Sequence, residues 1–130
     1  MSFEAEILSK PDHLLVVPRG EFDLDGGRRF FSDLLREARA TGHSRILVDN
    51  RQLARPLAAT EKALLALSLE GPYLEYLDRG GSPLRAAFLV LEDWLLPFRP
   101  LADHLNTIGL ETETFSDAAA SSAWLGVALR

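Results

Sequence analysis

The stretch Arg45-Ile46-Leu47-Val48-Asp49 has three consecutive apolar residues and no alternation of apolar with polar positions. A short strand that is apolar on both faces is buried on both faces, which is typical of the central strands of parallel α/β sheets. Residues with helical spacing precede this stretch, from about 24 to 40, and a second helical pattern follows it. The sequence therefore predicts an α/β fold with residues 45–49 near the middle of the sheet.

The rest of the chain reads as alternating strands and helices in one domain spanning residues 1–130. Further strands are predicted at residues 3–8, 14–18, 84–91 and 112–115. Helices are predicted at 24–40, at 63–69 and 73–77 as two pieces separated by Gly71-Pro72, around 101–108, and after a Ser116 cap, where the buried stripe would be Ala120, Ala123, Trp124 and Val127. The order is β-β-α-β-α-β-α-β-α, a mixed, mostly parallel sheet with right-handed crossovers and an antiparallel first strand at one side.

Composition excludes several kinds of chemistry. The 130-residue chain has no cysteine, so it forms no disulfide, thiol nucleophile or thiolate metal site. Its net charge of −5 argues against nucleic acids and anionic membranes as partners. The three histidines lack metal-ligand spacing, and no dinucleotide, P-loop or Gly-x-Ser-x-Gly motif occurs, so we expect no metal, no cofactor and no catalytic residue. The acidic first residues and the lack of a long apolar run predict a cytoplasmic chain without a membrane span.

Polar side chains follow three of the predicted strands, where ligands bind in open parallel sheets. The candidate site consists of Glu21 and Asp23, then Asp49, Asn50 and Arg51, and finally Glu92, Asp93 and Trp94. Each of the three groups has a structural alternative. Asp23 is a good helix N-cap, Asp49 can bond loop amides or pair with Arg51, and Trp94 can simply cover the end of the sheet.

Two further features bear on packing and binding. Gly26-Gly27 lies in the first turn of the first helix, which costs about 1 kcal/mol per glycine relative to alanine. Close approach to another element or to a ligand would explain why that cost is tolerated. Residues 63–77 are apolar almost all round, so this helical region must be covered by the chain itself, by a second subunit or by an apolar ligand. Leu69, Tyr73 and Tyr76 are its candidate contact residues, since aromatic side chains are enriched in interfaces.

Short motifs along most of the chain resemble the STAS/SpoIIAA-like family, which includes anti-sigma-factor antagonists. They are Val16-Val17-Pro18-Arg19-Gly20 followed by an amphipathic helix, then Ile46-Leu47-Val48-Asp49, and near the end Phe115-Ser116-Asp117 and Ala123-Trp124-Leu125. The resemblance implies a small cytoplasmic switch protein that binds a kinase-like partner and is phosphorylated on a serine just after the central strand. Here Asn50, Arg51, Gln52 and Leu53 follow that strand, and no Ser or Thr occurs before Thr60. The phosphoserine switch therefore does not carry over.

Two functions remain as hypotheses. The first is a non-enzymatic interaction or regulatory module of STAS-like type that binds a protein partner or itself through residues 63–77. The second is a protein that binds a small apolar or lipid-like ligand between that helical region and the carboxyl ends of the strands. An enzyme using Asp49 or Asp93 as a general acid or base is a distant third, because no motif supports it.

Overall fold

The computed structural model describes residues 3–128 and has the predicted order of elements. The strands are β1 (Glu4–Ser9), β2 (Leu14–Arg19), β3 (Arg45–Asp49), β4 (Arg85–Leu89) and β5 (Glu111–Phe115). The helices are α1 (Leu24–Thr41), α2 (Ala59–Asp78), α3 (Leu95–Thr107) and α4 (Ala118–Leu125), with a 3₁₀ turn at Glu92–Trp94 before α3. Within the described residues, no helix is both long and apolar enough to cross a bilayer.

The strands form one sheet in the order β1-β2-β3-β4-β5, so their order in space equals their order in the chain. β1 pairs antiparallel with β2, and every other pair is parallel. β3 lies at the centre, with Val48 opposite Val16 of β2 on one side and Phe88 of β4 on the other. The predicted α/β class, the mostly parallel sheet and the antiparallel first strand are confirmed.

Side chains of β3 are buried on both faces of the sheet. Ile46 and Val48 face the larger core, which α1, α2 and α3 cover. Leu47 faces the opposite side and packs in a smaller cluster with Leu125 of α4. This two-sided burial explains the unalternating apolar pattern that predicted the fold.

Helix α1 begins where the sequence predicted. Asp23 is its N-cap, with Oδ1 accepting a hydrogen bond from the Gly26 amide at 2.7 Å. A Cβ on Gly27 would lie 2.7 Å from Phe22 Cε1 and 3.3 Å from Leu65 Cδ1. The glycine is therefore needed for close packing of α1 against α2 and the preceding loop, which is one of the two reasons anticipated from the sequence. Gly42 ends the helix with φ 78°.

The predicted break at Gly71-Pro72 is wrong, because α2 runs without interruption through Pro72. A proline inside a helix removes one backbone hydrogen bond and typically costs about 3 kcal/mol. Leu69 before it and Tyr73 after it are 6% and 0% exposed. Burial of these side chains on one face holds the two halves of the helix in line. The helix also begins earlier than the predicted residue 63, at Ala59, with Ala58 at the N-cap position.

The buried stripe predicted for the last helix is also wrong. Asp117, not Ser116, caps α4 and accepts a hydrogen bond from the Ala120 amide. The buried residues of α4 are Ser121, Ser122 and Leu125, whereas Ala120 and Ala123 are exposed and Trp124 and Val127 are half-buried. Small serine side chains allow the helix to lie close to the sheet, and Ser121 Oγ is satisfied by the Ala118 carbonyl.

Candidate functional site

The loops after β2 and β3 are tied together at the carboxyl ends of the strands. Gly20 forms an isolated parallel bridge with Leu53, and the Ala54 amide donates to the Gly20 carbonyl at 2.8 Å. Arg55 Nε in the second loop lies 3.6 Å from Glu21 Oε1 in the first. The backbone therefore brings two of the three predicted clusters next to each other.

Asp49 and Arg51 form an ion pair with two side-chain hydrogen bonds at the end of β3. Asp49 Oδ1 accepts from the Arg51 amide at 3.1 Å and from Arg51 Nε at 2.9 Å, and Oδ2 accepts from Nη2 at 3.0 Å. These side-chain bonds raise the pKa of Arg51. The carboxylate is thus held by its own loop, which is the structural alternative anticipated for it, and its oxygens are already engaged.

Asn50, between them, is buried with 6% of its surface exposed. Its backbone amide donates to the Leu89 carbonyl of β4 at 2.8 Å, and its Nδ2 approaches the Val48 carbonyl at 3.3 Å. Asn50 therefore holds the end of β3 against β4 and reaches toward the core.

The third cluster follows β4 and leads into α3. Glu92 and Asp93 are exposed in the 3₁₀ turn after β4. Trp94 is half-buried and stacks on Phe98 of α3, with ring centroids 6.3 Å apart. Asp23 is engaged as the cap of α1. Within the described chain, no three His, Asp or Glu side chains are grouped so as to hold a metal ion.

The aromatic residues of α2 point inward, so the chain itself covers this face of the helix, which is the first of the three alternatives anticipated from the sequence. Leu69, Tyr73 and Tyr76 are 6%, 0% and 6% exposed. Tyr73 Oη accepts from the Leu84 amide at 2.9 Å, and Tyr76 Oη donates to the Ser82 carbonyl at 2.9 Å. An apolar helix and aromatic enrichment indicate burial but do not distinguish the chain's own core from a partner.

The outer face of α2 carries the exposed apolar residues instead. Leu64, Leu67 and Leu74 are 46%, 69% and 46% exposed, and we call these three side chains the α2 stripe. They lie at i, i+3 and i+10, with Gly71 on the same side of the helix. A Cβ at Gly71 would contact nothing within 4 Å among residues 3–128. This exposed face could have been predicted from the sequence, because a helix that is apolar all round and buried on one face exposes apolar side chains on the other.

An apolar cavity of about 90 Å³ lies between the sheet and the helices that cover it. Phe3, Phe22, Leu69 and Phe98 contribute to its wall, and Asn50 is a polar residue there. An apolar cavity of about 150 Å³ is large enough to hold benzene. The cavity in this protein therefore suits a ligand no larger than a few heavy atoms unless the helices move apart.

No protein-family model and no curated protein matches the sequence. Solved structures do match the fold. One is a DUF3478-family protein with a SpoIIAA-like fold from Shewanella loihica PV-4, at TM-score 0.56 and 20% identity over 95% of this chain and 93% of that one. Another is the anti-sigma factor antagonist SpoIIAA in its unphosphorylated form, at TM-score 0.50 and 14% identity over 98% of this chain and 99% of that one. The STAS/SpoIIAA-like fold expected from the sequence motifs is confirmed.

Proposed function

We propose that this chain, which has the SpoIIAA-like fold, is a cytoplasmic, non-enzymatic regulatory module that binds a protein through the α2 stripe. The observation that carries the proposal is the exposure of Leu67 at 69% between two other half-exposed leucines on one helix face. Contiguous exposed apolar side chains are typical of protein contact surfaces. The structural neighbour named as an antagonist of an anti-sigma factor supports a regulatory role on this fold.

The immediate surroundings of the stripe favour a protein as the occupant. Gly71 presents backbone without a side chain at the middle of the stripe, so another backbone can approach closely there. Arg28 of α1 donates to Ser68 Oγ at 3.2 Å and places an exposed guanidinium beside the stripe. An apolar centre with a polar rim is the usual anatomy of a protein interface.

A phosphoserine switch is not part of the proposal. Residues 50–58, which connect β3 to α2, contain neither serine nor threonine. The proposed module therefore acts by binding its partner, without phosphorylation of that connection. The carboxylates at the strand ends stabilise loops. Self-association through the same stripe is the second form of this proposal.

A photo-crosslinking amino acid at position 67, introduced in the native host, tests both forms. The matched control carries it at position 91, because Leu91 is 44% exposed but follows β4 and is not part of α2. We expect a discrete adduct from position 67 that is absent from position 91, and mass spectrometry of the adduct identifies either a partner or a second copy. Leu74→Glu in the position-67 protein should abolish the adduct. Equal crosslinking from both positions, or none from either, contradicts the proposal.

Binding of a small apolar ligand in the core is the second candidate, and the cavity of about 90 Å³ is the observation that favours it. Because of its size, we expect only molecules of a few heavy atoms, and not lipids, to bind without movement of the helices. Xenon or benzene titration followed by NMR provides the test. Leu69→Ala should enlarge the cavity and strengthen binding, and unchanged spectra with both probes would exclude this candidate.

A further inference from the structure

A second opening, a groove of about 400 Å³, lies between the outer sides of α2 and α3 and is separate from the core cavity. Ala59, Ala63 and Ala66 contribute to its α2 side at helical spacing, and their short side chains leave the space open. Pro100 and His104 contribute to its α3 side, four residues apart and therefore on one face. Its volume is in the range of small-molecule sites, which is roughly 300–1,000 Å³.

Lys62 lines this groove and is only 9% exposed. Its Nζ donates to the Pro97 carbonyl, which engages one of its three hydrogens. Lys62 takes part in none of the ion pairs formed among residues 3–128. A lysine buried to this extent normally has a carboxylate partner, so the groove offers donors without their usual acceptor.

His104 lines the same groove and has an unsatisfied polar atom. Its Nε2 is buried and has no hydrogen-bond partner within the described part of the chain. Leaving a buried polar atom without a hydrogen-bond partner costs free energy, and such atoms in native proteins generally have a partner in the functional state. Lys62 and His104 come from different helices and line the same opening.

The charge of the groove lining has the opposite sign to the net charge of the whole molecule. The chain has a net charge of −5, yet no Asp or Glu is among the residues that line the groove in the described structure. Leu67, 69% exposed, lies at its α2 edge. Leu96, 79% exposed, precedes Pro100 by four residues and so extends the same face of α3. Basic donors with exposed leucines beside them complement an anion that carries an apolar tail.

We propose that the groove between α2 and α3 binds a small carboxylate with an apolar tail. The carboxylate accepts hydrogen bonds from Lys62 Nζ and His104 Nε2, and the tail lies over the alanines toward Leu67 and Leu96. This inference does not rest on partner binding, and it places an amphiphilic ligand outside the core cavity, which is too small for one.

Octanoate is the probe, titrated into the ¹⁵N-labelled full chain, with the neutral 1-octanol as the matched ligand. We expect saturable shifts of backbone amides in α2 and α3 with octanoate and at least about tenfold weaker binding of octanol, because octanol lacks the charge-assisted hydrogen bonds. Lys62→Met should weaken octanoate binding by a similar factor. Lys10→Met is the matched control, since Lys10 is the chain's other lysine and lies in the β1–β2 turn.

Ala63→Phe fills the groove at an exposed position without changing a charge, and it should also abolish binding. This variant carries the test if Lys62→Met does not fold. The proposal is overturned by the absence of saturable shifts, by equal affinities of Lys62→Met and Lys10→Met, or by octanol binding as tightly as octanoate. Shifts centred on Leu69 and Asn50 would place the ligand in the core cavity and overturn it as well. Crosslinking from position 67 reports separately on the proposed function.

Discussion

Arg55 and Glu61 form a two-bond ion pair that joins the loop after β3 to the first turn of α2. Arg55 Nη1 donates to Glu61 Oε1 at 2.7 Å and Nη2 to Oε2 at 3.0 Å, and Oε1 also accepts from the Ala58 amide at 2.8 Å. The bonds from Arg55 are the main cause of a lowered pKa of Glu61, whose ordinary value is 4.5. We therefore expect Glu61→Gln to lower the free energy of unfolding by about 1 kcal/mol at pH 7.

The pH dependence of this effect has a definite sign. A carboxyl group whose pKa is lowered by folding stabilises the protein fully above its unfolded value, here near 4.5, and progressively less as the pH falls through the lowered value. Urea unfolding of wild type and Glu61→Gln should therefore differ at pH 7 and converge at strongly acidic pH. Glu75→Gln, which removes the exposed pair with Arg79, is the control, and we expect a change within a few tenths of a kcal/mol.

Asp12 should titrate at unusually low pH. Its Oδ2 accepts from the Ala128 amide at 2.8 Å, and its Oδ1 lies 2.7 Å from His13 Nδ1. The Ala128 bond first, and the His13 contact second, lower its pKa from 3.8 to about 2. A carboxyl-carbon NMR titration should give a midpoint near that value, and any stability contributed by Asp12 is complete above pH 3.8 and lost as the pH falls through about 2.

Ala128→Pro removes the amide donor to Asp12 and tests the assigned cause. The midpoint should then rise toward 3.8. If it stays near its original value, His13 rather than the Ala128 amide is responsible.

Two helical glycines should respond to alanine in opposite directions. Gly71 lies inside α2, and nothing in the described part of the chain is within 4 Å of an added methyl group. Gly71→Ala should therefore stabilise the protein by about 0.5–1 kcal/mol through helix propensity. A methyl group at Gly27 would lie 2.7 Å from Phe22, and the resulting overpacking should exceed the gain in helix propensity. Gly27→Ala should therefore destabilise the protein by about 1–2 kcal/mol. Thermal and urea unfolding of both variants measure the difference, and a shared sign would contradict the packing described for α1.

Tyr73→Phe should be clearly more destabilising than Tyr76→Phe. The Tyr73 hydroxyl accepts from the buried Leu84 amide at 2.9 Å, so its loss leaves that amide unpaired, at a cost of about 1–3 kcal/mol. Among the described residues, the Tyr76 hydroxyl bonds only the carbonyl of exposed Ser82, which water can reach, and its loss should cost about 0.5–1 kcal/mol. Urea unfolding of the two variants gives the comparison. Equal losses would mean that the Leu84 amide finds another partner.

The sequence predicted the architecture because β3 and its neighbours carry strong local patterns. The apolar run of residues 46–48 and the capping Asp23 depend on nearby residues alone, and both expectations are confirmed. The break at Pro72 was wrong, because local helix chemistry says nothing about the buried tyrosine face that holds α2 together. Local propensity yields to tertiary packing at such positions.

The candidate site was harder to predict for the same reason. The strand-end residues do lie at one edge of the sheet, but pairing of Asp49 with Arg51 and capping by Asp23 depend on side-chain geometry within loops. The burial of Tyr73 and the exposure of Leu67 depend on which face of α2 meets α1 and the sheet, and a helix that is apolar all round does not specify this face. The groove beside Lys62 requires α3 to pack against α2, a contact between segments distant in sequence.

The identity of spatial and sequential strand order has a consequence for how the chain acquires its structure. Each strand from β2 onward pairs with the strand that precedes it in the chain. When a strand is synthesised, one of its two neighbours in the sheet therefore already exists. Closing only the loop between consecutive strands keeps the entropy lost at each pairing small. We expect the sheet to grow from the amino-terminal hairpin toward β5 as the chain leaves the ribosome, with each newly synthesised strand docking on an edge that already exists.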